Sequence, residues 1–190
     1  MHSDLIHKMK LFIPLSESDT AIIVDTFQLR KIAKNEYFLS EGQISKNVAF
    51  IKSGLFRYFI NIEGEEKTFT FGHEGCFMTD YESFVPQIPT LQNIQALEDS
   101  EILVISYADL QQFYLKVEHA ERFGRLAMEY ALIDVVRELK SFYKDTDLQR
   151  YEHFIKNYPH VQQRIPQYHI ASYVGVKPQS LSRIRRKISS

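Results

Sequence analysis

Base-reading chemistry is concentrated in one stretch of this sequence, QYHIASYVGVKPQSLSRIRRKI, from Gln167 to Ile188. An arginine such as Arg183 bonds bidentately to guanine, a glutamine such as Gln179 to adenine, and Ser180 and Ser182 suit a phosphate or a base edge. Lys177, Arg185, Arg186 and Lys187 supply cations for phosphates. All 24 acidic residues lie between Asp4 and Glu152, whereas Pro159 to Ser190 holds six basic residues and none acidic. The formal charge of -1 therefore divides into -7 for residues 1–158 (17 minus 24) and +6 for the rest (6 minus 0). Such a split points to a polyanion partner for the C-terminal segment.

These side chains need two helices to hold them. Ile170, Val174, Val176, Leu181 and Ile184 supply the apolar contacts between a first and a second helix. Ala171 is the small residue where the helices approach, Gly175 tolerates the turn, and Pro178 falls in the first turn of the second helix, where its missing N–H costs little. The pattern is that of a helix-turn-helix with Gln179, Ser180, Ser182, Arg183 and Arg186 on its outer side. The plainer alternative is a helical hairpin that closes a core, its arginines merely solvated. The acid-free basic face favours the first.

Other reactive groups are sparse. Asp80 and Glu82 lie close together, but no Lys or Arg occurs from Thr68 to Leu115. His73-x-x-Cys76 offers two metal-ligand types in a glycine turn, where such residues are usually turn residues, and no metal or cofactor is expected. A single cysteine excludes an internal disulfide and a cysteine-only zinc or iron–sulfur site. No Walker loop, dinucleotide fingerprint, nucleophile elbow or HExxH motif is present, so an enzyme is not expected. No apolar run approaches the ~18 residues of a membrane span, and the first residues lack a secretory pattern. A cytoplasmic protein without a membrane partner is the expectation.

Hydrophobic residues at 44% and charged residues at 25% suit a globular chain with a real core. Leu5, Ile6 and Met9 begin a helical N-terminus, and Ser16 with Asp19 resembles a capping box. From Tyr37 to Ile105 short aromatic or β-branched runs alternate with turn signals such as Ser53-Gly54 and Glu63-Gly64, which predicts a β-roll or barrel. Asp109 to Phe142 contains no proline and predicts a continuous helix. Phe123, Leu126, Tyr130 and Ile133 form a seam spaced 3, 4 and 3, and Ala127, Ala131, Val135, Leu139 and Phe142 form a second stripe. Two stripes need two coverings, of which a second copy of the chain is the simplest, and one wide core-facing stripe in a monomer is the alternative. Thr146 could cap a further helix, Asp147 to Asn157.

The order β-roll, long helix, helix-turn-helix resembles the Crp/Fnr family of bacterial transcription regulators. IASYVGVKPQSLSRIRRKI, NIQALEDSEILVIS and the Gly54 and Gly64 turns carry the resemblance. It implies an α+β chain with a cyclic-nucleotide-binding-like sensor roll over residues 1–115, a dimerisation helix over 116–143 and a DNA-binding helix-turn-helix over 144–190. It also implies a homodimer through Phe123, Leu126, Tyr130 and Ile133, double-stranded DNA and RNA polymerase as partners, and an unknown small-molecule effector. Base-reading positions by motif match are Pro178, Gln179 and Arg183, and Pro178 cannot read a base edge. The family's phosphate cassette needs an Arg that GCFMTDYESFVPQIPTLQNIQAL lacks. An effector pocket would draw on Asp80 and Glu82, with Arg57 or Arg125 as the cation, and tight cyclic AMP binding is not expected. The competing reading is a small-molecule sensor or protein-interaction module whose basic tail does not read DNA specifically.

Overall fold

The computed structural model describes residues 1–189. Two helices open the chain, α1 (Ser3–Lys10) and α2 (Glu17–Thr26). Strands β1 (Gln28–Ile32), β2 (Tyr37–Leu39), β3 (Asn47–Ser53), β4 (Phe56–Ile62), β5 (Glu65–Gly72) and β6 (Phe77–Met78) follow. After a single turn of helix, α3 (Tyr81–Phe84), come β7 (Asn93–Ala96) and β8 (Ser100–Ser106). The rest is helical: α4 (Tyr107–Lys116), α5 (Ala120–Lys144), α6 (Asp147–Asn157), α7 (Gln167–Val174) and α8 (Pro178–Ser189). The strands form two sheets of four, ordered β1-β8-β3-β6 and β2-β7-β4-β5.

Sheet pairing is antiparallel, with Gln28 opposite Val104 and Asn47 opposite Ser106. β3 and β8 are apolar on both faces because both faces are covered. Ala49, Ile51 and Ile102 belong to a cluster with Leu39, Phe56, Tyr58 and Ile94 of the other sheet. Val48, Phe50, Leu103 and Ile105 point the other way, into a cluster with Leu5 and Met9 of α1 and Phe113 of α4. Ser16 caps α2, accepting from the Asp19 amide while the Asp19 carboxylate accepts from the Ser16 amide. The Glu63-Gly64 turn has positive φ at both residues, 52° and 83°, as a tight β4–β5 hairpin requires.

The chain separates into two compact units. One comprises residues 1–58 and 71–130, the other residues 59–70 and 131–190. The hairpin tip thus groups with the C-terminal helices, which the sequence boundaries at 115 and 143 do not anticipate.

The continuous helix expected from Asp109 is interrupted. α4 ends at Lys116, His119 turns with φ 64°, and α5 begins at Ala120. No proline or glycine marks this break. Val117 and Ala120 are buried in the same cluster as Phe113 and Phe123, and a turn delivers all four to it. Gly124 allows the close return, since a Cβ there would lie 2.8 Å from the Tyr114 hydroxyl.

Candidate nucleic-acid interface

Helices α6, α7 and α8 are built from the apolar spacing read in the sequence. Ile170, Ala171, Val174 and Leu181 are buried between them. Gly175 ends α7 with φ 78°, and the amides of Gly175 and Val176 bond to the Ser172 and Ala171 carbonyls. That left-handed residue turns the chain towards Pro178, the first residue of α8. Thr146 caps α6 in a reciprocal box with Gln149.

Behind these helices lies an aromatic cluster. Phe154 packs on Tyr158 and Tyr173, with ring centroids 5.3 and 5.5 Å away, and Tyr151 stacks on Phe154. Residues 151, 154 and 158 carry a helical spacing that makes this legible in retrospect. The Tyr173 hydroxyl donates to Glu138 of α5 at 3.1 Å. Burial pushes the Glu138 carboxyl above its ordinary range, and the bond from Tyr173 opposes that.

Arg150 is a residue that sequence reasoning missed. Its Nε donates to the Val174 carbonyl and one Nη to the Asp145 carbonyl, both at 2.8 Å, and the other Nη meets the Asp147 carboxylate at 2.6 Å. One guanidinium thereby ties the start of α6 to the end of α7. His153 Nδ1 lies 3.0 Å from the buried Asp145 carboxylate.

On this frame Lys177, Gln179, Arg183, Arg185, Arg186 and Lys187 are exposed, and Ser180 and Ser182 half-buried. Leu181 is fully buried among them and sets which side of α8 faces solvent. The chemistry of this face is cationic with amide and hydroxyl groups, and no carboxylate lies on α7 or α8.

The residues expected around an effector are dispersed. Asp80 caps α3: one carboxylate oxygen accepts from the Glu82 amide at 3.1 Å and the other from the Thr90 hydroxyl at 2.5 Å. Glu82 itself is exposed. Arg57 is buried, but it does not face the interior of the roll. β4 alternates, with Phe56 and Tyr58 in the interior cluster, so Arg57 takes the opposite face and donates to Gln95 at 2.9 Å. Arg125 is exposed and pairs with Glu129 one turn along α5. Apolar side chains form the interior cluster. The Cys76 amide donates to the His73 carbonyl at 3.1 Å, and the His73 Nδ1–H donates to the Glu74 carbonyl at 3.0 Å. Burial pushes the Cys76 thiol up, but the hydrogen bond and charge of His73 leave it below its ordinary value. Among the described residues no group of three His, Cys, Asp or Glu could hold a metal ion.

On α5 the expected seam is partly misplaced. Phe123 is buried in the core, edge-on to Phe12 and Phe77, because the turn at His119 drives it inward. Leu126 is half-buried. Tyr130 and Ile133 are exposed, and so are Met128, Leu132, Val135, Leu139 and Phe142, spaced 4, 3, 4 and 3.

The fold now has a class. Residues 29–116 match the family model of the cyclic nucleotide-binding domain, which covers all strands of both sheets except the first residue of β1. No helix among the described residues is long and apolar enough to cross a membrane.

Solved structures extend the likeness over most of the chain. The c-di-GMP responsive global regulator CLP of Xanthomonas campestris is similar with a TM-score of 0.70 at 14% identity, covering 92% of each chain. FixK2 from Bradyrhizobium japonicum gives 0.69 at 12% identity, covering 86% of this chain and 84% of that one. Thermus thermophilus catabolite activator protein gives 0.59 at 16% identity, covering 94% and 86%. At these identities the likeness is one of fold. None of the curated proteins matches the sequence.

Proposed function

We propose that this chain is a dimeric, sequence-specific DNA-binding transcriptional regulator with an altered effector-sensing domain. The observation that carries the reading is α8. It presents Gln179 and Arg183 in its first half and Arg185, Arg186 and Lys187 beyond, all exposed on a helix anchored by buried Leu181. Helix N-terminal halves meet base edges in the major groove, and flanking cations serve phosphates. Lys177, Ser180 and Ser182 complete the phosphate set.

The exposed stripe of α5 supports the dimer. Leu132, Val135, Leu139 and Phe142 repeat at coiled-coil spacing, each residue 55 to 67% exposed, a waste of apolar area that a second copy removes. Tyr130 and Ile133 flank that seam. A two-fold dimer reads two half-sites about 34 Å apart, one turn of DNA. RNA polymerase is the partner through which such a regulator acts.

The roll is the sensor in this reading. Its match to the cyclic nucleotide-binding domain supports a small-molecule effector. The engaged Asp80, the outward Arg57 and the lack of any Lys or Arg from Thr68 to Leu115 argue for an effector other than cyclic AMP. Selection of bound DNA from a random pool, with and without a metabolite fraction of a cell extract, tests both halves. A palindromic consensus is expected, and its absence in every condition would overturn the reading in favour of a sensor or interaction module.

A further inference from the structure

β2 is an edge strand of its sheet, and a groove of about 440 Å³ opens beside it. That volume lies in the range of small-molecule sites, ~300–1,000 Å³. Phe38 and Leu39 of β2 line it together with Ile44, Lys46 and Asn47, which lead into β3. Leu39 belongs to the buried cluster between the sheets and Phe38 packs against it, so the floor of the groove is continuous with the core.

The wall of the groove is fixed by its main chain. The Gly42 amide donates to the Thr90 carbonyl at 2.9 Å, the Thr90 amide donates to the Gln43 carbonyl at 2.7 Å, and Ile44 pairs with Pro89. The Ser83 hydroxyl accepts from the Ser45 amide at 2.9 Å. On this fixed backbone Ile44 is 37% exposed, and Ile88 and Leu91, either side of the paired residues 89 and 90, are exposed at 48 and 73%. Apolar side chains held out to solvent by a rigid backbone form the rim of a preformed binding site.

Polar groups converge on the same place. Lys46 is the only Lys or Arg among residues 35–51, and residues 68–115 hold none. The main chain of Lys46 and Asn47 is engaged, their carbonyls accepting from the Tyr107 amide and the Thr79 hydroxyl, both at 2.9 Å. Their side chains are not: among the described residues neither the Lys46 ammonium nor the Asn47 side-chain amide has a polar partner. Side by side, they offer two donors to the two oxygens of a carboxylate. One cation in so acidic a stretch balances a monoanion and not a phosphate dianion.

We infer that this groove binds an amphipathic monocarboxylate, with its carboxylate on Lys46 and Asn47 and its acyl or aryl chain laid on Phe38, Leu39 and Ile44. The effector of the proposed regulator then has a chemical class. Its influence on DNA rests on the reading of α8, whereas the binding itself does not.

Calorimetric titration of the full chain with decanoate, decanol and decylammonium tests the site. Decanoate should bind with submillimolar affinity, decanol about three- to tenfold more weakly, and decylammonium more weakly still, as a partly exposed, charge-assisted pair predicts. Lys46→Gln should abolish the preference for decanoate over decanol and leave decanol unchanged. Ile44→Ser should weaken both by a similar factor. Both substitutions fall on exposed residues and leave the core intact. Absence of saturable decanoate binding below its micelle concentration, or a preference that survives Lys46→Gln, would overturn the site. Decanoate binding that Ile44→Ser leaves unchanged would place the ligand elsewhere and overturn it too. Affinity for the DNA selected above is the second readout. Decanoate should shift it at least threefold in the wild type and not in Lys46→Gln. An unshifted affinity would overturn the effector role. If the protein binds no DNA in any condition, the reading of α8 falls, while the titrations still decide whether the carboxylate site exists.

Discussion

Replacing Arg150 by methionine removes the tie between α6 and α7 while keeping the length of the side chain. Three bonds go. Two join a guanidinium to main-chain carbonyls at 2.8 Å, from a side chain only 19% exposed. A hydrogen bond to a charged group contributes about 1.5–3 kcal/mol, and less where the abandoned carbonyl regains water. The third partner, Asp147, is 57% exposed, so that pair is screened and adds at most ~1 kcal/mol. The expected loss is about 2–4 kcal/mol, confined to the helical unit. Arg150→Lys should recover under half of it, because an ammonium lacks the planar fork that reaches two carbonyls and a carboxylate together. The chain has no tryptophan, so tyrosine fluorescence under urea reports unfolding, with Tyr151, Tyr158 and Tyr173 as probes in the cluster beside these helices. Asp147→Asn is the control and should cost no more than the screened pair. A shift under about 0.5 kcal/mol for Arg150→Met would refute the argument that this guanidinium sets the geometry of α6 and α7.

Arg183→Ala should cost about 1–3 kcal/mol on the selected site and relax preference at one base, whereas Arg186→Ala should weaken all sequences and lower the salt slope by roughly one. An unchanged consensus with Arg183→Ala means that α8 docks otherwise. Ile133→Glu combined with Leu139→Glu should give a monomer with weak DNA binding, read by sedimentation, and a wild type that is monomeric at micromolar concentration would count against the dimer. Calorimetric titration with cyclic AMP should show no tight binding, because Arg57 takes the face of β4 opposite Phe56 and Tyr58, and submicromolar affinity would contradict that assignment. Glu138→Gln should stabilise the chain at neutral pH. Burial raises the carboxyl of the folded protein above 4.5, so folding disfavours the charged form, and the advantage should fade as pH falls through that raised value towards 4.5. A urea midpoint difference that grows on acidification would show that sign to be wrong.

Local chemistry was legible where one stretch of chain suffices to express it. The caps at Ser16 and Thr146, the Glu63-Gly64 hairpin, the turn at Gly175 and the buried set Ile170, Ala171, Val174 and Leu181 all follow from residue type and spacing. The basic face of α8 was legible for the same reason, since a helix displays its own sequence at a fixed period. β1 was not, because QLRKI looks polar until β8 pairs with it. Neither was the break at His119, where no residue opposes helix and the burial of Val117 and Ala120 alone bends the chain. That bend took Phe123 from the expected seam into the core and left Leu132, Val135, Leu139 and Phe142 outside. Which face of β4 Arg57 occupies was decided by pairing register, as a strand's two faces differ by one residue. Ser172 on the β5 edge and Arg150 between two carbonyls were also beyond the sequence. Their partners lie 104 and 24 residues away along the chain, and hydrogen bonds of that reach exist only once tertiary packing has placed both ends.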